Sequence, residues 1–111
     1  MRREKKIWGE RWIVRRDSTH ETSILFVKAG YRCSWHRHQA KHNKFVVIQG
    51  KLELVTCDGT TVLESGTTAS VGPGIWHEFR AIIYTIAVEE MFVKYDPEDI
   101  EREIVGGKMV T

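Results

Sequence analysis

The stretch from Gly30 to Gly50, GYRCSWHRHQAKHNKFVVIQG, carries the pattern that decides the fold. Its second half is a run of β-forming residues, and its first half holds His36 and His38 one residue apart. Because side chains alternate along a strand, both histidines face one side, with attachment points about 7 Å apart. Two imidazoles placed in this way can bind a single metal ion.

The rest of the chain reads as all-β. Helical periodicity is nearly absent, and short runs rich in Val, Ile, Thr, Phe and Tyr recur between turn residues. Asp58-Gly59 predicts a tight hairpin, and Glu64 to Gly66 and Gly72 to Gly74 predict two further turns. The predicted strands are 12–15, 23–28, 33–38, 43–49, 51–56, 60–63, 68–71, 77–80 and 84–93. Many short strands at this spacing indicate a sandwich or a barrel.

Length and composition limit the classes of protein that the chain can belong to. Its 111 residues, 41% hydrophobic, suit one globular domain over 1–111 and are too few for two cores. No apolar run approaches the roughly 20 residues of a membrane span, and no apolar signal segment follows the N-terminal charges, so we expect a cytoplasmic protein without membrane contact. The net charge of +2 gives no reason to expect nucleic-acid binding.

The two ends of the chain carry their own expectations. Residues 1–6 form a short basic run, which we interpret as a flexible, solvated tail. Near the other end, Asp96-Pro97 resembles a helix cap followed by proline, and predicts a short C-terminal helical turn through Glu103. Residues 105–111, with two glycines, are expected to be loose.

A third histidine follows a glycine-proline-glycine turn much further along the chain, at His77. A ligand from a distant strand would complete one face of a coordination sphere and leave the other positions open to water or substrate. We therefore predict one divalent transition metal on His36, His38 and His77. Zinc, iron, manganese, nickel and copper all suit such a site, and the sequence does not choose among them.

The spacing of these residues resembles the two motifs of the cupin superfamily. The first, GxxxxxHxHxxxxExxxxxxG, matches from Gly30 to Gly50 with Asn43 in place of glutamate. The second, GxxxxxPxGxxHxxxN, matches from Gly66 to Ala81, with Gly72 in place of the first proline and Ala81 in place of asparagine. The resemblance implies a double-stranded β-helix, the jelly-roll barrel of cupins.

The segments outside the motifs carry a weaker resemblance. Residues 6–9 and 96–102 look like the flanks of type II mannose-6-phosphate isomerases and of small phage and environmental cupins. The resemblance implies action on a sugar or sugar phosphate. It also implies a homodimer, because such cupins commonly pair through their sheets.

Asn43 changes the charge that the metal site is expected to have. Cupins commonly bind metal through three histidines and a glutamate, so three neutral ligands alone would leave more positive charge. That charge should favour a small anionic ligand and acidify a bound water. Asn43 itself is one candidate for the fourth ligand, and His42 is the alternative, although it should face the other way on a regular strand.

Strand alternation also predicts which residues bind the ligand. Arg32 shares the parity of the two histidines and would reach an anion, whereas Cys33 has the opposite parity. The remaining substrate-binding candidates are three aromatic residues, each of which equally suits core packing: Phe45, Trp76 and Phe79. No general base is evident.

Three functions remain open from the sequence. The first is a metal-dependent enzyme on a small polar or anionic metabolite, of the sugar-phosphate isomerase or epimerase kind. The second is a three-histidine iron dioxygenase, which the missing carboxylate favours. The third is a non-catalytic cupin that binds a carbohydrate or another small ligand, because one fold hosts many chemistries.

Overall fold

The structure, a computed structural model, describes residues 1–92 and 100–109. Within these ranges the secondary structure is β-strand without helix. The strands are β1 (Arg2–Lys6), β2 (Gly9–Arg16), β3 (His20–Val27), β4 (Tyr31–Arg32), β5 (Trp35–Arg37), β6 (His42–Gln49), β7 (Lys51–Thr56), β8 (Gly59–Glu64), β9 (Thr68–Val71), β10 (His77–Ala81), β11 (Thr85–Phe92), β12 (Glu101–Ile104) and β13 (Gly107–Lys108).

These strands form two antiparallel sheets. In the described residues, the six-stranded sheet has the order β1-β2-β3-β11-β6-β9. In the other, β10 lies between β7 on one side and β4 and β5 on the other, with β8, β12 and β13 further out. The sheets enclose one apolar core, in which Leu25, Phe45 and Leu52 are fully buried. The predicted all-β jelly-roll barrel is confirmed.

Strand alternation determines which residues face the interior. Along β3 every second residue is buried, beginning at Glu21, and along β11 the buried residues begin at Thr85. The inward positions include polar groups as well as apolar ones, among them Ser23 and Glu89. The sheet therefore has an interior that is apolar at one end and polar at the other, as a ligand-binding barrel requires.

The N-terminal run is a strand, which corrects our expectation of a flexible tail. All five residues of β1 pair with β2. The hairpin is held by Trp8, which is buried in the turn and packs edge-on against Phe79 at 5.0 Å between ring centroids. Glu4 lies between Arg2 and Lys6 and offsets their repulsion. The charges thus occupy an ordered edge strand, where charged residues also discourage pairing with other chains.

The C-terminal segment also differs from its prediction. Residues 96–99 of the expected helical turn lie outside the described residues, but Glu101–Ile104 is strand β12, which pairs with β5. Gly107–Lys108, expected to be loose, pairs with β4 as β13. A helix of one or two turns is marginal by itself. Pairing along β4 and β5 supplies hydrogen bonds that such a turn lacks.

The predicted strand from Cys33 to His38 is shorter in the structure, where two short strands, β4 (Tyr31–Arg32) and β5 (Trp35–Arg37), replace one regular strand. Both pieces pair with the same neighbour, since Arg32 lies opposite Arg80 and His36 opposite His77. The irregular residues between them, Cys33 and Ser34, disrupt the strict alternation. As a result, the directions that strict alternation predicts for the side chains of Arg32 and Cys33 are wrong.

Gly50, which ends the first motif, is required by a close approach of two chain segments. Its φ is 101°, a left-handed conformation that side chains rarely adopt. A Cβ atom there would lie 2.5 Å from the carbonyl oxygen of Tyr84 and 2.6 Å from the hydroxyl of Thr85. The motif glycine therefore lets the turn between β6 and β7 lie directly against the start of β11.

Among the residues that the structure describes, none belongs to a helix with the length and hydropathy that a membrane crossing demands.

Candidate metal centre and ligand cavity

The fold brings His36, His38 and His77 together. His77 lies directly opposite His36 in the antiparallel pairing of β10 with β5. One ring nitrogen from each of the three imidazoles lies within 4.8 Å of the other two, and all three side chains are buried. Three nitrogen ligands converging in this way form one face of a metal site.

Hydrogen bonds at the far side of two rings orient them toward the common point. Nδ1 of His36 lies 2.7 Å from the carbonyl oxygen of Ser34, and Nδ1 of His77 lies 2.9 Å from that of Ile75. A carbonyl can only accept, so both rings carry their proton on Nδ1 and leave Nε2 as a lone-pair donor. This is the protonation state that metal ligands need.

The residues present fit a metal ion. Nε2 of His77 is buried and has no hydrogen-bond partner, and Oδ1 of Asn43 is in the same condition. Buried acceptors without a partner are rare and cost about 1–3 kcal/mol each. A divalent cation would satisfy lone pairs of this kind. His36, His38 and His77 would hold it, and it would supply Lewis-acid chemistry at the cavity wall.

Burial keeps the imidazoles neutral. Desolvation, with help from the neighbouring His77 and His38, lowers the pKa of His36 to about 3. Burial likewise lowers the pKa of His77. At neutral pH His36 and His77 are therefore already deprotonated, so that protons do not compete with the metal at these two ligands.

The pKa of His36 predicts how the metal-free protein responds to acid. Below pH 6.5 the unfolded chain binds a proton at this histidine, whereas the folded protein does not until about pH 3. As the pH is lowered through that window, we expect the free energy of unfolding to fall by about 1.4 kcal/mol per pH unit from this residue alone. Urea denaturation of chelator-treated protein would measure it. The His36→Gln variant should show a shallower slope, and an unchanged slope would contradict the assignment.

Asn43 occupies the motif position of the missing glutamate and is 1% exposed. Its Nδ2 donates a hydrogen bond of 2.8 Å to Oε2 of Glu89, a buried side chain on β11. Glu89 is also close enough to His77 to oppose the lowering of that histidine's pKa. A carboxylate therefore lies near the three histidines, on a different strand from the one where the motif usually places it.

Beside the histidines is a cavity of about 350 Å³. His36, His38 and Glu89 line it, together with the apolar side chains of Leu25 and Phe79. The cavity is also lined by one further carboxylate and four cationic side chains, which are Glu21, Lys6, Arg11, Lys41 and Arg102. Its size suits a small metabolite, and the excess of cationic groups suits an anionic one.

One wall of this cavity is fixed by a buried ion-pair network. Glu21 is 1% exposed and accepts hydrogen bonds from both Arg11 and Arg16. Arg11 also donates through Nε to the hydroxyl of Ser23 at 3.1 Å. The guanidinium of Arg11 is therefore held in one orientation at the cavity wall, without the freedom of a surface arginine.

The structure does not bring every predicted ligand-binding residue into the cavity. Phe79 lines it, but Phe45 is fully buried in the core, where its ring contacts those of Phe79 and His77. Trp76 lies in a stack with Trp35, away from the cavity lining. Strict strand alternation therefore identifies residues that face the interior of the barrel, but it does not separate core residues from those that line the ligand cavity.

The structure corrects the prediction that Arg32 binds the ligand. Its guanidinium donates to the carbonyl oxygen of Val105 at 3.0 Å and is not among the groups that line the cavity. Cys33, predicted to face away, does line the cavity, because the chain is irregular between β4 and β5. Its thiol is buried, and burial raises its pKa well above the usual range, so it remains protonated and unreactive.

His42 is not a ligand in this structure. It is exposed and lies on the outer face of β6, whereas its neighbour Asn43 faces inward. The three-histidine group among the described residues does not include it. Glu78, next to His77, is buried and forms an ion pair with Arg80 at 2.7 Å.

Sequence reasoning missed Glu89, Glu21 and Arg11 as cavity residues. Glu89 had a usable signal, because it follows the small inward residues Thr85 and Ala87 at a spacing of two. With Glu90 beside it, one of the two glutamates had to face the interior. Arg11 gave no comparable signal, because its inward direction depends on the pairing of β2 with β3.

The comparisons with known proteins agree with this geometry. The sequence profile of the family described as "Cupin domain" matches residues 23–84, which is more than half of the chain. The chain belongs to the cupin family. A search of curated protein sequences found no significant match.

Several solved structures share the fold at low sequence identity. KdgF from Halomonas sp. is 17% identical with a TM-score of 0.73, over 78% of this chain and 82% of that one. Streptomyces PAC13 with uridine is 10% identical with a TM-score of 0.81, over 94% and 84%. The capsular polysaccharide assembling protein CapF from Staphylococcus aureus is 16% identical with a TM-score of 0.77, over 93% of this chain and 34% of CapF. At these identities the likeness concerns the fold.

Proposed function

We propose that this cupin is a metal-dependent enzyme that acts on a small, polar, anionic metabolite of the sugar or sugar-phosphate kind. The observation that carries the proposal is the cluster of three buried histidines, two of which, His36 and His38, line a cavity with cationic side chains. A metal there would bind an oxygen of the ligand and polarise it. Arg11, fixed by Glu21, and Arg102 would bind the anionic group.

The structural neighbours support the choice of substrate class. Pac13 is described as a nucleoside dehydratase, and CapF as a capsular polysaccharide assembling protein. Both descriptions concern carbohydrate-containing molecules. Isomerisation or epimerisation is the reaction class that the flanking resemblance to mannose-6-phosphate isomerases favours. Each such reaction moves a proton next to a carbonyl, which a metal-polarised oxygen assists.

The proposal is tested by the binding of inorganic phosphate to metal-free and zinc-loaded protein in isothermal titration calorimetry. We expect phosphate to bind at least about tenfold more tightly to the loaded form, because one charge-assisted contact contributes about 1.5–3 kcal/mol. Turnover of hexose phosphates, uronates and nucleosides would then be followed by proton NMR in deuterated water. Equal phosphate binding in both forms would contradict an anion site at the metal. Binding without turnover would favour the non-catalytic carbohydrate-binding function.

A three-histidine iron dioxygenase is the second candidate. The observation that favours it is Asn43 in the position of the usual glutamate, which leaves neutral ligands around the ion. Oxygen consumption by the iron-loaded protein would support it. The zinc-loaded protein is the control.

We also propose a homodimer formed through the outer face of the sheet that contains β3 and β11. Ile24, Val46 and Val88 lie side by side at the centre of that face and are only partly buried, although outer positions of such sheets are commonly polar. Sedimentation velocity at micromolar concentration should show a dimer. The Val88→Glu variant should be monomeric with unchanged metal content. A monomeric wild-type protein would contradict the proposal.

A further inference from the structure

We propose that Glu89 is the acidic group of this metal centre, and that it acts through Asn43, whose amide oxygen is the fourth protein ligand. The inference rests on the proposed metal centre and defines its ligand set. In this arrangement Asn43 replaces the motif glutamate at the ion. Glu89 is a positioning residue, which orients the amide and supplies the negative charge that Asn43 lacks.

The orientation of the Asn43 amide follows from its hydrogen bond. The Nδ2 group of Asn43 donates to Oε2 of Glu89 at 2.8 Å, where the carboxylate oxygen accepts. The oxygen Oδ1 therefore points away from Glu89. It is buried and has no hydrogen-bond partner. An oriented, unpartnered carbonyl oxygen is a ready ligand for a cation.

A second buried atom in the same part of the barrel is unpartnered, namely Nε2 of His77. Both atoms offer lone pairs, so neither can satisfy the other by a hydrogen bond. Asn43 and Phe45 face inward from the same strand, Phe45 lies opposite Glu89 in the pairing of β6 with β11, and the ring centroid of Phe45 is 6.5 Å from that of His77. A single cation would satisfy Oδ1 and Nε2 together.

Glu89 has a matching need for positive charge. It is 6% exposed, and within residues 1–92 and 100–109 it forms no salt bridge. Its contact is the neutral amide of Asn43. A buried carboxylate without a cation is strongly disfavoured. A divalent ion held by the three histidines would provide that cation, and the amide would connect the two.

The test is a double-mutant cycle on zinc affinity, measured by competition with a chromophoric chelator. The full chain would carry Glu89→Gln, Asn43→Ala, or both. Removing an outer partner of a ligand typically weakens metal binding about 10–100-fold, and we expect a loss in this range for Glu89→Gln. The double variant should bind no more weakly than Asn43→Ala alone, because Glu89 acts through the missing amide. The matched control is Glu90→Gln, the outward neighbour of Glu89, which should leave affinity unchanged.

Cobalt substitution distinguishes a metal ligand from a residue that only supports the fold. The visible d–d bands of the cobalt-loaded protein should change in Asn43→Ala and remain unchanged in Glu90→Gln. Circular dichroism would confirm folding, and Asn43→Ser would take the place of the alanine variant in the cycle if that variant does not fold. Unchanged bands in Asn43→Ala would overturn the assignment of Oδ1 as a ligand.

The outcomes separate this inference from the proposed function. If the Glu89→Gln variant bound zinc as tightly as the wild-type protein, the role of Glu89 would be overturned and the metal centre would remain intact. Additive losses in the cycle would mean that Glu89 acts independently of Asn43, and would also overturn it. A wild-type protein that binds neither zinc nor cobalt would overturn the metal centre itself.

Discussion

The His77→Ala variant should be purified without its metal. His77 is the ligand that comes from the second motif, and the lone pair of its Nε2 is buried and unpartnered. Removing it leaves His36 and His38, which form only one edge of the coordination sphere. We expect zinc affinity to fall by more than the roughly 100-fold that the loss of an outer partner causes. Metal analysis together with chelator competition would measure both the content and the affinity.

His42→Ala is the matched control for this variant. His42 is exposed on the outer face of β6, so its loss should leave metal content and affinity unchanged. If His42→Ala lost the metal and His77→Ala retained it, the assignment of ligands would be wrong. The comparison also tests the fourth-ligand role that the sequence alone left open for His42.

The second large effect is expected on stability. Phe45→Ala should lower the free energy of unfolding by about 3–5 kcal/mol, because it removes a fully buried aromatic ring. The ring packs against Phe79 with centroids 6.0 Å apart and against His77 at 6.5 Å. Urea denaturation of the metal-free protein would measure the loss without a contribution from metal binding.

Ile48→Ala is the control on the same strand. Ile48 is 53% exposed and faces outward, so we expect a change within about 0.5 kcal/mol. A loss for Phe45→Ala as small as this would return Phe45 to the ligand site, where the sequence interpretation placed it. A large loss would confirm that Phe45 belongs to the core, where its ring contacts that of His77.

Most of what the sequence predicted correctly about the fold came from the motif residues. His36, His38 and His77 meet because period-two alternation and antiparallel pairing are local rules that a sequence displays directly. The predicted hairpin at Asp58-Gly59 is present one residue earlier, with Cys57 and Asp58 between β7 and β8, and the turn around Gly66 lies between β8 and β9. These features need no knowledge of distant contacts.

The features that could not be predicted depend on contacts between distant segments. The break between β4 and β5 reverses the expected faces of Arg32 and Cys33, and it lies where the chain is paired with β10 on one side and with β12 and β13 on the other. The ordering of the N-terminal run depends on Trp8 reaching Phe79. A local pattern contains neither contact.

The replacement of the motif glutamate illustrates the same limit at the site. From the sequence, Asn43 indicated a centre without a carboxylate. The structure places Glu89, which is 46 residues further along the chain, in hydrogen-bond contact with it. Only the adjacent pairing of β6 and β11 brings the two together. The charge of the site is therefore set by the topology of the sheet as well as by the motif.

The most direct test is an anomalous difference map from a crystal of the zinc-loaded protein, recorded above the zinc absorption edge. We expect one peak about 2.0–2.1 Å from a ring nitrogen of each of His36, His38 and His77. The absence of a peak at this point, or a peak on surface groups alone, would contradict the metal centre on which the proposed function depends.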